Sequence, residues 1–561
     1  MINIFLTIKC GSNFPDGSVK TMTDGRGRVL SYGYDHGGRL TSVADEAGEI
    51  VSYRHTPGGK VKEIRHRNGA RTAYEYDTEG NIIRLLTEAR DGGTICDLQY
   101  VYDRNGNRTA KAGTMILPDH SRGLSAQNRD IRYRYDRMDR LAAEVRDGEE
   151  TCYLYDLCGN RLEKRKGEKT ERYQYNRKNQ LVRRAAGGEA WDYTYDLQGN
   201  LLREAGPKVE RQYLYDTENR QIRVLSGGKE IQENRYDGEG MRAGLTVNGR
   251  ESTFLYEAGN LYAESDEAGA EISRYIRGNG LAGLEYRGKL YGVHRDEQLS
   301  TGWVAGEAGV PESAYEYDAF GMLLGGHGNI PNRLLYGGQQ YDAETEQYYL
   351  RARYYNPVIG RFMQEDTYRG DGLNLYAYCA NNPVMYYDPS GKDDCKINPD
   401  AEENVQQENV TRQQGIETAG YLSEPALQDG VLSIGAGKKP IEGAYNIDTN
   451  PTVEGVYMGD ATDLSNIASG SQKLIIIENP YGYDPLNSEI LRVLAADGTI
   501  EITGAGANKY ANKTPKRAPK LGFSVTVEMV PNIGQFTTTD GAVISPERTQ
   551  NFVKYILKPT N

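Results

Sequence analysis

The chain has 561 residues, a formal net charge of −12 and a mean hydropathy of −0.70. This length allows several domains, and the negative charge argues against a protein that binds nucleic acid along its whole length, without excluding a local site. No apolar run approaches the ~20 residues that a membrane-spanning helix needs, and the apolar start lacks the basic region and cleavage site of a Sec signal.

Tyrosine dominates the aromatic residues, with 43 Tyr against 8 Phe and 2 Trp, and glycine is plentiful at 66. Because a tyrosine ring packs on a sheet while its hydroxyl finds a polar partner, this composition indicates many strands and tight turns. The six cysteines show no Cys-x-x-Cys pair, so neither a disulfide scaffold nor a metal site is predicted. Cys152 and Cys158 flank one turn; two free thiols are expected there, with a bond across the turn as the alternative.

A short unit, Tyr-x-Tyr-Asp-x-x-Gly, recurs about every 20 residues, a spacing typical of stacked repeats. Complete or partial copies begin at Tyr32, Tyr74, Tyr100, Tyr133, Tyr153, Tyr173, Tyr193, Tyr213, Phe254 and Tyr315. The two tyrosines lie on one face of a strand, Asp starts a turn, and Gly supplies the positive φ that closes it. Such hairpins are expected to pair edge to edge into one sheet. The Tyr and Asp residues are interpreted as scaffold; carbohydrate binding is the alternative.

Residues 336–392 carry a different set of motifs. They are Tyr348-Tyr349-Leu350-Arg351-Ala352-Arg353-Tyr354-Tyr355, Gly360-Arg361-Phe362, Asn374-Leu375-Tyr376, Asn381-Asn382-Pro383 and Asp388-Pro389-Ser390-Gly391. This segment resembles the core segment of rearrangement-hotspot (Rhs, YD-repeat) proteins. The resemblance implies that residues 1–335 form an all-β shell of stacked hairpins, which 336–392 plug ahead of a C-terminal effector. With about a dozen repeats, the shell is expected to be open, or the chain to be a truncated or displaced cassette.

The same resemblance implies an aspartyl self-protease that cuts after the Asp-Pro-x-Gly motif. Here Asp388 belongs to that motif, Lys392 follows it where relatives usually carry an apolar residue, and Asp366 is the candidate partner. Two carboxyl groups that share a proton can activate water, because like charges held close cannot both ionise. Arg361 is expected to orient them. The alternative interpretation is that both aspartates are turn residues.

The pattern changes after the plug. Residues 393–415 are polar and acidic, which is typical of a linker. Residues 416–561 are predicted to form an α/β Rossmann-like domain. Strands are predicted at 431–434, 444–448, 455–460, 473–477 and 499–502, with a helix at 487–496 and late strands within 520–530 and 552–557. The fourth strand is the most apolar and is therefore expected at the centre of the sheet.

The stretch from Gly435 to Asp448 resembles the first loop, GxGxxPxxGxxNxD, of one subgroup of class I S-adenosylmethionine-dependent methyltransferases. Glycines let a ligand approach the backbone, and an acid at the end of the second strand can bind a ribose. The resemblance implies that Gly435 and Gly437 contact the methionine part of S-adenosyl-L-methionine. It also implies that Asp448 binds the ribose and that Asp460 and Ala461 flank the adenine.

The segment Asn479-Pro480-Tyr481 lies where N-methyltransferases hold the amine that they methylate. The resemblance implies that the Asn479 side chain and the Pro480 carbonyl accept hydrogen bonds from the amine, while Tyr481 stacks on its face. The sequence departs from the family in a single proline, in an insertion after Tyr481, and in Ser433, where many relatives carry an acid.

All six histidines precede the linker. The C-terminal domain therefore lacks the ligands and bases of histidine nucleases, zinc deaminases and Cys-His hydrolases. Methyl transfer needs in-line positioning instead. The basic stretch 509–520 has no apolar periodicity and is predicted to be a solvated loop, with contact to nucleic-acid phosphates as the alternative.

The sequence thus predicts a multidomain, polymorphic-toxin-type protein with a methyltransferase effector. The expected partners are a cognate immunity protein, delivery machinery and a macromolecular methyl acceptor, either protein or nucleic acid. The expected location is secreted or cell-surface delivered by a non-Sec route, with the effector acting in the target-cell cytoplasm. One alternative is a non-catalytic encapsulation protein with a degenerate Rossmann domain. Another is an NAD-using Rossmann-type toxin, against which the loop lacks the third glycine of GxGxxG.

Overall fold

The computed structural model describes residues 9–560 apart from 15–16, 120, 122, 209, 368–373, 393–394, 398–429, 435–443, 449–455, 459–463, 465–466, 468, 479–484, 506–512 and 530–551. The chain divides into two compact units, residues 1–410 and 411–561. Within the described residues, none of the helices has the length and apolar character that crossing a bilayer requires.

Over its described residues, the first unit builds one sheet of thirty strands. Each strand pairs antiparallel with the next one in sequence. The strands are β1 Lys9–Asn13, β2 Val19–Thr23, β3 Val29–Tyr34, β4 Leu40–Asp45, β5 Gly48–His55, β6 Val61–His66, β7 Arg71–Tyr76, β8 Ile82–Glu88, β9 Thr94–Tyr102, β10 Arg108–Asp119, β11 Gly123–Tyr135, β12 Leu141–Arg146, β13 Glu149–Tyr155, β14 Arg161–Lys166, β15 Lys169–Tyr175, β16 Leu181–Ala186, β17 Glu189–Tyr195, β18 Leu201–Ala205, β19 Glu210–Tyr215, β20 Gln221–Ser226, β21 Lys229–Tyr236, β22 Arg242–Val247, β23 Arg250–Glu257, β24 Asn260–Asp266, β25 Glu271–Gly278, β26 Gly280–Tyr286, β27 Lys289–Arg295, β28 Thr301–Ala305, β29 Pro311–Tyr317 and β30 Leu323–Gly328. The predicted sheet of stacked hairpins is confirmed.

The turn of the repeat is built by its aspartate, as the turn that begins at Asp156 shows. Asp156 Oδ1 accepts hydrogen bonds from the backbone N–H groups of Cys158 and Asn160 at 2.9 and 2.8 Å. Gly159 adopts a φ of +79°, and its N–H donates to the Asp156 carbonyl at 3.1 Å. An Asp side chain that holds its own turn, with Gly in the left-handed region, explains why these residue types recur.

In many of the hairpins, the tyrosine that ends the strand before the turn joins its hairpin to the one before it. Its hydroxyl donates to the carbonyl of the first residue of an earlier return strand, at 2.6 to 3.0 Å. The pairs are Tyr76 with Val61, Tyr102 with Ile82, Tyr135 with Arg108, Tyr155 with Leu141, Tyr175 with Arg161, Tyr236 with Gln221, Tyr256 with Arg242, and Tyr317 with Thr301. The repeated tyrosines are therefore scaffold, as the sequence indicated.

The sheet coils, so that its early strands contact its late ones. The Trp303 indole N–H donates to the Ile116 carbonyl at 2.7 Å, and the side chain of Trp303 is fully buried. An ion pair joins Arg28 to Glu271 at 2.6 Å, and Tyr262 donates to Asp24 at 3.1 Å. These contacts between residues more than 180 positions apart form a seam along the first unit.

Residues 336–392 pack against the repeat turns. Their strands form a small sheet of β31 Gln340–Asp342, β32 Gln347–Tyr349, β33 Tyr354–Asn356 and β34 Arg361–Phe362, and β35 Tyr386–Tyr387 pairs with β36 Cys395–Lys396. Two 3₁₀ turns occupy Tyr336–Gly338 and Cys379–Asn381. Tyr348, Tyr355 and Tyr376 donate to carbonyls of the repeat turns, at Gly321, Phe320 and Gly199. The predicted plug thus fastens onto the shell, and β36 lies within the predicted linker.

The second unit contains a seven-stranded sheet in the order β39-β38-β37-β40-β41-β43-β42 over its described residues. Its strands are β37 Gly430–Ile434, β38 Ala444–Asp448, β39 Val456–Met458, β40 Gln472–Glu478, β41 Leu494–Ala505, β42 Phe523–Met529 and β43 Phe552–Pro559. The first five strands are parallel to one another, and β43 is antiparallel to both of its neighbours. The buried side chains of Leu432, Ile475 and Ile500 place the core at the middle of this sheet.

Helices are few in the described part of this unit. They are α1 Ser488–Val493, α2 Thr514–Arg517 and a 3₁₀ turn at Ala518–Leu521. The predicted helix 487–496 ends early, because β41 already begins at Leu494. The prediction of a loop over 509–520 was wrong for residues 514–520, which are helical. The helices that a Rossmann-like fold packs on both faces of its sheet are not seen among the described residues.

Candidate functional site

The plug contains a buried carboxyl group at Asp388, which is 1% exposed. Its Oδ1 atom accepts hydrogen bonds from the backbone N–H groups of Ser390, Gly391 and Lys392 at 2.9, 2.6 and 3.3 Å. Its Oδ2 atom is buried and has no hydrogen-bond partner. Burial raises the pKa of Asp388 to about 6, although the nearby Arg353 guanidinium and these N–H groups oppose the rise. This carboxyl group can therefore hold a proton in weakly acidic solution.

Arg353 brings the two predicted aspartates together. Its Nη2 atom lies 2.6 Å from Asp366 Oδ2 and 3.6 Å from Asp388 Oδ2. Its Nε donates to the Gly391 carbonyl and its Nη1 to the Leu375 carbonyl. The guanidinium also lies over the Phe362 ring, 3.6 Å from the centroid. One cation thus holds both carboxyl groups and the backbone of the Asp-Pro-x-Gly motif.

Arg361, which was expected to orient the aspartates, has a different role. It donates to Asn160 Oδ1 at 3.1 Å, to the Asn179 carbonyl at 2.6 Å and to Asn374 Oδ1 at 3.1 Å. These bonds fasten the plug to two repeat turns, so the prediction for Arg361 was wrong. Arg353 was missed, because its position in the sequence does not distinguish it from Arg351 of the same motif.

Gly391 makes the tight loop around Asp388 possible. Its φ is +79°, and a Cβ atom at this position would lie 2.5 Å from the Leu350 carbonyl oxygen. The loop brings the backbone of Lys392 to the Asp388 carboxyl group, while the Lys392 side chain is exposed. The Gly391–Lys392 peptide group therefore contacts both the Asp388 carboxyl group and the Arg353 guanidinium, in an arrangement that suits acid–base hydrolysis.

In the second unit, three parallel strands end at one edge of the sheet. Ile434 of β37 pairs with Ile447 of β38 and with Ile477 of β40. Asp448 is the last residue of β38, so the predicted ribose-binding residue stands at the same edge as the ends of β37 and β40. The other predicted residues of this site, Gly435, Gly437, Asp460, Ala461, Asn479, Pro480 and Tyr481, lie outside the described residues.

Comparison with known proteins settles the family of the first unit. A family model described as Teneurin YD-shell matches residues 94–384, just over half of the chain, and one described as RHS Repeat matches residues 15–50. The chain belongs to the YD-shell family. The Rhs resemblance of the sequence is thereby confirmed for the shell, and the YD shell is the scaffold on which the buried aspartates stand.

Two relatives of this YD-shell chain are described as toxic or nucleolytic proteins. The tRNA3(Ser)-specific nuclease WapA of Bacillus spizizenii is 35% identical over 175 residues, which is 29% of this chain and 8% of that protein. The toxin protein Tse5 of Pseudomonas aeruginosa is 47% identical over 55 residues, 10% of this chain and 4% of that protein. The chain therefore matches only a small part of the length of these relatives.

A solved structure shows the same fold. The Photorhabdus luminescens Tc holotoxin pore aligns with a TM-score of 0.52 and 20% sequence identity, covering 68% of this chain and 21% of that chain. At this level of identity the likeness concerns the fold alone, and it agrees with the YD shell seen here.

Proposed function

We propose that this chain is a toxin-like precursor in which the YD shell carries a C-terminal effector and releases it by self-cleavage near Lys392. The supporting observation is the buried group of Asp366, Arg353 and Asp388. The Arg353 ion pair at 2.6 Å favours an ionised Asp366, while the raised pKa of Asp388 favours a protonated partner. A carboxylate beside a carboxylic acid is the pair that aspartyl hydrolysis requires.

The proposed cleavage follows from these two protonation states. The Asp366 carboxylate accepts a proton from water as the water oxygen attacks the carbonyl carbon of the peptide bond. Asp388 gives its proton to the nitrogen that leaves as an amine, so one peptide bond and one water become an acid and an amine. Arg353 holds both carboxyl groups throughout, and the Asp388 Oδ2 atom, which has no hydrogen-bond partner, carries the transferable proton.

Cleavage is tested by expressing the full chain as the wild type and as the Asp366→Asn and Asp388→Asn variants. The wild type should yield a C-terminal fragment that begins near residue 393, and both variants should stay intact. Asp192→Asn, which changes an exposed carboxylate paired with Arg183, is the matched control and should be cut like the wild type. A wild-type chain that remains whole would refute this part of the proposal.

For the effector, we propose a Rossmann-like methyltransferase that uses S-adenosyl-L-methionine and acts on an amine of a macromolecule. The supporting observation is the strand order. Five parallel strands run in the order third, second, first, fourth and fifth, so the order reverses beside β37. Open sheets of this kind bind nucleotide-like ligands at that reversal, outside the carboxyl ends of the strands. Asp448, the last residue of β38, stands at this edge.

The methyl donor is tested by calorimetry of the full chain with S-adenosyl-L-methionine. Binding should occur in the wild type and should be lost in Asp448→Ala. Asp497→Ala removes an exposed acid from another strand of the sheet, β41, and should leave binding unchanged. If Asp448→Ala and Asp497→Ala release the same heat of binding, Asp448 does not bind the methyl donor. Binding of NAD in place of the methyl donor would favour an NAD-using toxin, and binding of neither would favour a non-catalytic encapsulation protein.

The remaining expectations rest on the relatives. Two of them are described as a toxin and a tRNA-specific nuclease, which supports a cognate immunity protein and a delivery machinery for this chain. It also supports non-Sec delivery and action in the cytoplasm of a target cell. Co-purification of the full chain with the product of an adjacent reading frame, and rescue of growth by that product, would test the immunity partner.

A further inference from the structure

The helical segment before β42 has one cationic face. Lys513, Lys516, Arg517 and Lys520 are all exposed, whereas Thr514 and Ala518 are 1% and 0% exposed. Lys513, Arg517 and Ala518 all have right-handed helical backbone angles, and Gly522 ends the segment in the left-handed conformation. At helical spacing, positions 513, 516, 517 and 520 fall on one side, opposite 514 and 518. Four cations therefore share the exposed face of one helical segment.

This face is held rigidly by the core of the second unit. Ala518 belongs to the same buried cluster as Phe523, Tyr555 and Leu557. The inner face of the segment is thus occupied, and it cannot turn towards a lipid surface. An interfacial membrane helix needs a free apolar face of its own, so a membrane is a poor match for these cations.

No described side chain neutralises the lysines of this face. Among the described residues, the side chains of Lys513, Lys516 and Lys520 take part in no ion pair or hydrogen bond. The chain as a whole carries a net charge of −12, so these three lysines contrast with the negative charge of the rest of the chain. Like charges crowded on one face repel one another unless an anion lies over them.

The spacing of the row suits a linear polyanion. From Lys513 to Lys520 the helical rise covers about 10 Å. One strand of a duplex carries a phosphate about every 3.4 Å along the axis, so this length spans about three phosphates. Lysine contacts a phosphate as a point charge, with no need for a particular base sequence.

We propose that this face, Lys513, Lys516, Arg517 and Lys520, binds the sugar–phosphate backbone of a nucleic acid. The surface anchors the strand without reading its sequence, and the specificity of any reaction comes from elsewhere in the unit. The proposal goes beyond the proposed methyl transfer and does not depend on it, because backbone binding needs neither the methyl donor nor the edge of the sheet at Asp448.

The test is fluorescence anisotropy of the full chain with a labelled 20-nucleotide RNA and with a duplex of the same length, without S-adenosyl-L-methionine. We expect the logarithm of the association constant to fall linearly with the logarithm of the salt concentration. The Lys513→Gln, Lys516→Gln, Lys520→Gln triple variant should bind at least tenfold more weakly. The slope of this plot should become less steep by about 2, since each lost phosphate contact removes about 0.7 to 0.9 from its magnitude.

The matched control is the Lys169→Gln, Lys178→Gln, Lys229→Gln triple variant, which removes the same charge from exposed positions of the first unit. It should bind like the wild type. Equal affinities and slopes for the two triple variants would overturn the proposal, as would binding to vesicles of phosphatidylserine and phosphatidylcholine without binding to RNA or duplex. Far-UV circular dichroism checks that the variant is folded, and the single substitution Lys516→Gln, expected to lower the slope by about 0.7 to 0.9, gives the same test with a smaller perturbation.

Discussion

The imidazole rings of His66 and His294 contact each other across the seam of the shell, with their centroids 4.4 Å apart and their planes inclined at 59°. His66 ends β6, in the early part of the sheet, and His294 lies on β27, in the late part. His294 Nδ1 lies 3.1 Å from the Thr72 hydroxyl, and its Nε2 atom is buried without a hydrogen-bond partner. The charged or titratable groups that line the same space are Arg295, Tyr53 and Tyr74, and none of the described carboxylates lines it.

These surroundings predict a shell that loses stability in acid. Burial lowers the pKa of His66 to about 4, and burial together with the neighbouring His66 lowers the pKa of His294 well below its usual value. In the unfolded chain both rings titrate near 6.5 and so take up protons that the buried rings do not. The contribution of the two histidines to the free energy of unfolding is therefore fully present above pH 6.5 and is lost as the pH drops towards 4. At pH 5 the loss for His66 alone is about 2 kcal/mol. Urea unfolding at pH 7.5 and 5.0, followed by tyrosine fluorescence, measures it.

The His66→Asn, His294→Asn double variant separates this effect from the titration of carboxylates. Its stability should change less between pH 7.5 and 5.0 than that of the wild type. His36→Asn changes an exposed histidine and should leave the pH dependence as it is. A double variant with the wild-type pH dependence would show that the seam histidines do not titrate on unfolding.

Self-cleavage should have its own pH dependence. The proposed reaction needs Asp388 protonated, and burial raises the pKa of Asp388 to about 6. Above this pH the protonated fraction falls about tenfold per unit, so the rate should fall with it. Precursor refolded from urea between pH 5 and 8 and sampled on denaturing gels gives the rate. A rate that rises steadily to pH 8 would exclude Asp388 as the proton donor.

The ion pair between Arg242 and Asp342 fixes the plug to the shell. Its atoms lie 2.5 Å apart, and the side chains are 0% and 1% exposed. Asp342→Asn leaves the guanidinium buried without its counter-charge, and we expect a loss of about 3 to 5 kcal/mol in the free energy of unfolding. Asp192→Asn breaks the exposed pair with Arg183 and should cost less than about 1 kcal/mol. Similar losses for the two variants would mean that the plug is not held by this pair.

Gly391 offers a test of the loop around Asp388. Gly391→Ala places a Cβ atom 2.5 Å from the Leu350 carbonyl oxygen, so the loop must shift and the cleavage rate should fall at least tenfold. Gly148 has a similar φ of +88°, with open space around it. Gly148→Ala should therefore cost only about 1 kcal/mol and leave cleavage unchanged. Undiminished cleavage in Gly391→Ala would separate the loop geometry from the reaction.

Much of the fold is local and was visible in the sequence. The Tyr-x-Tyr-Asp-x-x-Gly unit gives both the strand and its turn, because Asp156 and Gly159 act within their own turn. The second predicted strand, 444–448, coincides with β38 because its apolar and polar residues are bounded by turn formers. What depends on neighbours in sequence was therefore predictable from the sequence.

Contacts between distant residues were not predictable in this way. Arg353 meets Asp366 and Asp388 only through the packing of the plug, so the choice of Arg361 was wrong. The helix at Thr514–Arg517 was missed because only Thr514 and Ala518 of this segment face the core. Two small residues do not give the periodic pattern of apolar residues by which an amphipathic helix is predicted. The sequence did hold one signal for a helix start, Pro515, because proline favours the first helical turn.

The order of the meander has a consequence for synthesis. Each strand of the large sheet pairs with the strand that precedes it in sequence. The sheet can therefore form strand by strand while the ribosome is still extending the chain. The hydrogen bond from Trp303 to Ile116 can form only after most strands of this sheet have been synthesised. Residues 411–561 are translated after the large sheet, which can therefore already be paired when the second unit folds.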